Sequence, residues 1–169
     1  MGEPQDISRL IAENRNLKEK LAECEQLIKD LSAPIIPSII PETILVPITG
    51  MLDPGRFEVI TAKLTDYAHS NSVSTAVVDF TAISEKEIGE VDVFGRYIEN
   101  VTATLNIMGV QVLYVGFRPS ISRMLIMSGS DFVKNVKAFS TFRAALQYLM
   151  NQSGMSFTAM VLEDQDEKA

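Results

Sequence analysis

A chain of 169 residues with a single histidine, His69, and a single cysteine, Cys24, has few ways to do chemistry. Zinc sites draw on several histidines and cysteines at set spacings, so no metal centre is expected. His69 falls at the polar end of a helical segment, where a solvent-facing residue rather than a general base is expected. Glu85, Glu87, Glu90 and Asp92 crowd one short segment. Paired carboxylates can exchange protons or hold a cation, but acidic residues just ahead of a helix also offset the positive end of its dipole, and that simpler role suffices. Gly50 and Gly55 lack the lysine and hydroxyl of a phosphate-binding loop, and Gly89 and Gly95 do not form a dinucleotide fingerprint. Neither an enzyme nor a cofactor is expected.

Charge narrows the partners. The net charge is −7 and no basic cluster occurs, so nucleic acid is an unsuitable ligand and another protein a suitable one. No run of apolar residues reaches the ~18 needed for a membrane span, and the Glu- and Lys-rich start does not look like a signal peptide. An intracellular, cytoplasmic protein is expected. The acidic stretch Glu163-Asp164-Gln165-Asp166-Glu167 fits a solvated tail.

The elements that would position a site begin with a helix. Ile7, Leu10, Asn14, Leu17, Leu21, Cys24, Ile28 and Leu31 recur at alternating spacings of three and four, the seam of a coiled coil. Ile7, Asn14, Leu21 and Ile28 take the a positions and Leu10, Leu17, Cys24 and Leu31 the d positions. An amide at an a position is satisfied by its own copy in register, which selects a parallel pair at some cost in stability. The flanks agree, since Glu13 at g faces Lys18 at e of the partner and Lys20 at g faces Glu25 at e. The alternative is a lone amphipathic helix packed on its own domain. In the paired reading two Cys24 thiols face each other.

Prolines at 34, 37, 41 and 47 end the helix and leave short extended segments, Ile35-Ile36, Ile39-Ile40 and Ile44 to Ile48, read as two strands. Asp53-Pro54 is a helix start, with Phe57, Ile60, Leu64 and Tyr67 on one face. Thr75 to Phe80 is a buried strand, Phe94 to Met108 a long helix stopped by Gly109, and Val110 to Val115 a second buried strand. Arg118-Pro119 opens a short helix through Ile121 and Leu125. Val133 to Phe139 is expected as a last weak strand, and Ser140 as the cap of a helix carrying Phe142, Ala145, Leu146 and Leu149. This alternation predicts an α/β fold with a mixed, mostly parallel sheet, about four helices and right-handed crossovers. Three units are expected: a dimerising coiled-coil helix over 1–33, an α/β domain over 34–152 and an acidic tail over 153–169.

The segments Pro34-Ile35-Ile36-Pro37, Leu45-Val46-Pro47-Ile48-Thr49-Gly50, Leu52-Asp53, Val77-Val78-Asp79-Phe80-Thr81, Gly109-Val110-Gln111 and Val115-Gly116-Phe117-Arg118-Pro119 resemble the STAS domain, specifically that of the RsbR group of stressosome proteins. The resemblance covers roughly Pro34 to Met150. It implies the STAS (SpoIIAA-like) fold and a non-catalytic scaffold in a stress-response assembly, binding other STAS proteins and a serine/threonine switch kinase. Members of the group are phosphorylated on hydroxyl residues at two places, the start of the long helix and the helix after Arg-Pro. Here the ungapped alignment puts Asp92 at the first, a one-residue slip would put Val93 there, and Met124 stands at the second. None carries a hydroxyl. Asp92 either imitates a phosphate's charge or caps the helix.

The loop from Ala82 to Val91 is about four residues longer than is usual in the group, and Thr81 and Ser84 are its candidate substitute acceptors. Ser120, Ser122, Ser128 and Ser130 suit cap or surface roles. The group usually places a sensory domain ahead of the linker helix, and residues 1–33 are too few to bury a core of their own. Two further readings stand beside the scaffold: a stand-alone anti-sigma factor antagonist, and a STAS module that binds a small molecule.

Overall fold

The computed structural model describes residues 3–31, 33–129 and 132–155. Residues 156–169 of the expected acidic tail and Ser130 lie outside the described residues. Helix α1, Glu3–Leu31, leads through Ala33, which is buried, to a sheet of five strands in the order β1-β2-β3-β4-β5. Edge strand β1, Ile36–Pro37, runs antiparallel to β2, Thr43–Pro47. From β2 onward the sheet is parallel, through β3, Thr75–Asp79, and β4, Gln111–Val115, to β5, Lys137–Phe139.

Consecutive parallel strands that sit side by side, each joined by a right-handed crossover, must place all their connecting helices on one face. The connecting helices here are α2, Pro54–Ser70, α3, Val91–Ile107, and α4, Pro119–Met127, the last followed by a single turn, α5, Phe132–Asn135. The strands show that face directly. Ala76, Val78, Val112 and Tyr114 join Phe57, Ile60, Phe94, Ile98, Ile121 and Leu125 in one core. Their alternates Val77, Leu113 and Val115 pack with Ala145, Leu149 and Met150 of α6, Phe142–Gln152, on the other face. Burial on both faces explains why β3 and β4 are apolar almost throughout rather than alternating.

The two-strand entry, the helix start at Asp53 and the order of elements agree with the sequence. Asp53 is extended and its Oδ1 accepts the Arg56 amide at 2.9 Å, with Pro54 in the first helical position. Two segments differ. Residues 132–135 form a helical turn, so the last strand starts only at Lys137; Val133 and Val136, three apart, suit one helical turn as well as a strand, and so short a segment has no period to separate the two. The cap of α6 is Thr141, not Ser140: its hydroxyl accepts the Ala144 amide at 3.2 Å. With α5 the domain has five helices after α1 rather than about four.

Helix α1 does not bury its seam on its own domain. Ile7, Leu10, Leu17, Leu21, Ile28 and Leu31 are between 56% and 74% exposed, and Cys24 is exposed as well. The reading of a lone helix packed on its domain does not describe this arrangement.

Candidate functional site

The carboxyl ends of parallel strands are where open α/β sheets build their sites, because the loops there converge and the following helices point their amide ends at the surface. In this domain they are the segment from Ile48 to Asp53, the loop from Phe80 to Glu90 and the Gly116-Phe117-Arg118 turn. An aromatic layer supports them from below. Phe80 stacks on Phe117 at 5.0 Å between ring centres and meets the edge of Phe94 at 5.7 Å, and Phe94 leads to Phe57 and its stacked neighbour Tyr97 at 4.8 Å. Tyr114 closes the layer, its hydroxyl 2.8 Å from that of Thr102 and its ionisation pushed up by burial.

Gly116 sets how close these loops come. It has a φ of +76°, and a Cβ there would stand 2.2 Å from Thr81 Oγ1 and 2.6 Å from the Thr81 amide nitrogen, so no side chain fits. The Thr81 amide donates to Asp79 Oδ1 at 2.8 Å and its hydroxyl donates to the same oxygen. The Phe80 amide donates to the Val115 carbonyl at 2.9 Å, which locks the exit of β3 onto that of β4.

The long loop is ordered by its own residues. Ile83 and Ile88 are buried and pin its two ends into the helix-covered core. Between them Ser84 to Glu87 form a turn in which the Glu87 carboxylate accepts both the amide, at 2.7 Å, and the hydroxyl of Ser84. Leu52 pairs with Ile88 as an isolated parallel bridge, and its amide donates to the Glu87 carbonyl at 2.8 Å. On the opposite side Glu85 lies near Ser120 at the start of α4. The side chains of Ser120 and Ser84, helped by the charge of Arg118, favour the charged forms of Glu85 and Glu87 respectively and hold both carboxyls below the usual carboxylate range. The loop is thus tied to the β2 exit through Leu52.

This reassigns part of the acidic cluster. Glu87 accepts the amide and hydroxyl of Ser84 within the turn, and no group of three or more potential ligands suited to a metal ion occurs among the described residues. Glu90 is the N-cap of α3, though without a side-chain cap bond, and Asp92 lies exposed inside the first turn. Asp92 is therefore not the cap of this helix. Val93 and Met124 are half-buried, on α3 and α4 respectively. The Thr81 hydroxyl donates to Asp79 and the Ser84 hydroxyl to Glu87, so each candidate hydroxyl is already held by a carboxylate. His69 is exposed in the last turn of α2, as expected.

Sequence reasoning did not anticipate the Leu52 to Ile88 bridge. Two isoleucines five apart in a polar loop were the available sign, since apolar residues there need somewhere to be buried. It also passed over Arg56, whose Nη1 donates to the Met51 carbonyl at 2.8 Å and shapes the Gly50 turn, and whose charge is disfavoured by partial burial.

No family model matches the chain. RsbRD of Bacillus subtilis (strain 168), a co-antagonist of RsbT, is 27% identical over 123 residues, which are 72% of this chain and 42% of the relative. The RsbS structure from Moorella thermoacetica superimposes with a TM-score of 0.58 at 19% identity, covering 73% of this chain and 98% of that one. The domain has the STAS fold. Two more structures carry the same fold. A chain of the stressosome, a signal integration and transduction hub, matches with a TM-score of 0.56 at 16% identity over 72% of this chain and all of that one. The unphosphorylated anti-sigma factor antagonist SpoIIAA matches with a TM-score of 0.54 at 17% identity over 74% and 99%. The chain spans less than half the length of RsbRD, and among the described residues no helix is long and apolar enough to cross a membrane.

Proposed function

We propose that this STAS protein is a non-catalytic, cytoplasmic scaffold of a bacterial stress-response signalling complex. In this reading it dimerises through α1, packs against other STAS proteins and binds a serine/threonine switch kinase, with its phosphorylation switch fixed. One observation supports the reading: the hydroxyls of Thr81 and Ser84 are donors to Asp79 and Glu87, while Asp92, or Val93 on a one-residue slip, and Met124, which the alignment puts at the group's two acceptor positions, carry none. Exposed in the first turn of α3, Asp92 presents one permanent negative charge where a phosphate would bring between about 1.5 and 2. The coil supports dimerisation because its exposed leucines and isoleucines follow the heptad, with Asn14 as the register device.

The test is intact mass before and after incubation with an RsbR-system kinase and ATP. The unmodified chain should gain nothing and Asp92→Ser should gain one phosphate. Stoichiometric phosphorylation of the unmodified chain at Thr81 or Ser84 would overturn the fixed switch and show that the longer loop has moved the acceptor. Particle size on mixing with an RsbS-type partner separates a scaffold, which enters a large assembly, from a stand-alone antagonist, which does not.

A further inference from the structure

Two large apolar residues of α1 lie outside the a and d seam: Ile11 at an e position and Leu27 at a g position, the latter 59% exposed. A leucine at g is unusual because g normally carries charge. Near the same height α1 and the start of α2 enclose an open cleft of about 570 Å³, lined by Glu25, Ile28, Gly55, Val59 and Ala62. Its α1 wall is the e and a side of the coil. In a parallel pair the e side of one helix faces the g side of the other, and equal residue numbers stand at equal heights. The partner's Leu27 is then within two residues, about 3 Å along the axis, of both Glu25 and Ile28.

We propose that the cleft between α1 and α2 receives Leu27 of a second copy of this chain, so that the coil docks on the STAS domain as well as on itself. Gly55 and Ala62, seven residues apart on α2, supply a shallow wall, and Val59 between them supplies the apolar contact. Charge agrees with the occupant. The partner's Lys20, a g residue, comes to Glu25, and Glu58 on the α2 rim adds a second carboxylate. The inference rests on the coiled-coil reading. It would join the coil to the candidate site, because Asp53 and Arg56 on the same rim hold the segment whose Leu52 pairs with Ile88.

Sedimentation and cross-linking distinguish this contact from the coil alone. Leu27→Glu should weaken dimerisation at least roughly tenfold, since it replaces a buried leucine with a charge beside Glu25 and Glu58, whereas Ala12→Glu at an outer f position should leave it unchanged. In a Cys24→Ser background, a mixture of Leu27→Cys chains and Ala62→Cys chains treated with a short bismaleimide should give a covalent dimer that neither variant gives alone. A dimer unaffected by Leu27→Glu, with no cross-link in the mixture, overturns the docking and leaves the coil standing. An unmodified chain that sediments as a monomer overturns both.

Discussion

Replacing Gly116 with alanine isolates the contact that draws the β3 and β4 exits together, and Gly109 provides its control. Both glycines hold positive φ, +76° and +80°. An alanine at either position therefore meets the same backbone penalty, on the order of 1–2 kcal/mol. At Gly109 nothing lies within 4 Å of the new methyl, while at Gly116 it would stand 2.2 Å from Thr81 Oγ1. Carbon contacts settle near 3.5 Å, so Thr81 must withdraw by roughly 1 Å. That movement breaks the two bonds from Thr81 to Asp79 and loosens the stack of Phe80 on Phe117. At about 1 kcal/mol for each hydrogen bond and about 0.5–1.5 for the ring pair, the added cost is about 2.5–3.5 kcal/mol. Gly116→Ala should thus cost about 4–5 kcal/mol in all and Gly109→Ala about 1–2. Urea unfolding followed by circular dichroism should separate the two midpoints by roughly 1–2 M at unchanged slope. Equal midpoints for the two variants would show that the close approach of Gly116 to Thr81 contributes nothing.

The coil and the loop give further expectations. Asn14→Ile should tighten self-association yet broaden the distribution of oligomers seen by sedimentation, because it removes a buried polar cost together with the register device; a single sharper dimer peak would deny Asn14 that role. Mild oxidation should produce a covalent dimer through Cys24 on a non-reducing gel, and monomer alone would exclude a parallel in-register seam. Glu85 and Glu87 have depressed folded-state values, so the stability they supply is present above the unfolded glutamate range near pH ~4.3 and is lost as pH falls through the lower folded values. Glu87→Gln should accordingly flatten the acid limb of a stability curve measured between about pH 3 and 6, and an unchanged limb would detach that carboxylate from the loop's stability.

Most of the framework could be read from residues whose local chemistry admits one conformation. Asp53-Pro54 fixed the start of α2 because a carboxylate cap and a ring-locked φ act without help from distant residues. The runs at Thr75 and Val110 were legible as buried strands because they are apolar on both faces. Where two neighbours are equivalent, as Ser140 and Thr141 are for capping, the choice falls to tertiary packing. The site was less legible. The ungapped alignment that proposes Asp92 and Met124 as the acceptor positions runs along helices, which have a constant period, but the loop between Phe80 and Glu90 has none. Its form depends on Leu52 reaching Ile88, a contact between residues 36 apart in sequence.

The sequential strand order leaves one face of the sheet to a single helix. Val77, Leu113 and Val115 are covered chiefly by α6, which is the last element described. On a ribosome the other face can close as soon as α2, α3 and α4 have emerged, whereas this one stays bare until Phe142 to Gln152 are clear of the exit tunnel. During that interval the nascent domain is a half-sandwich with an oily underside, suited to capture by a chaperone or by another unfinished chain. A stop codon or protease cut within α6 would return the finished protein to that condition, so the integrity of these eleven residues governs whether the domain persists in the cell.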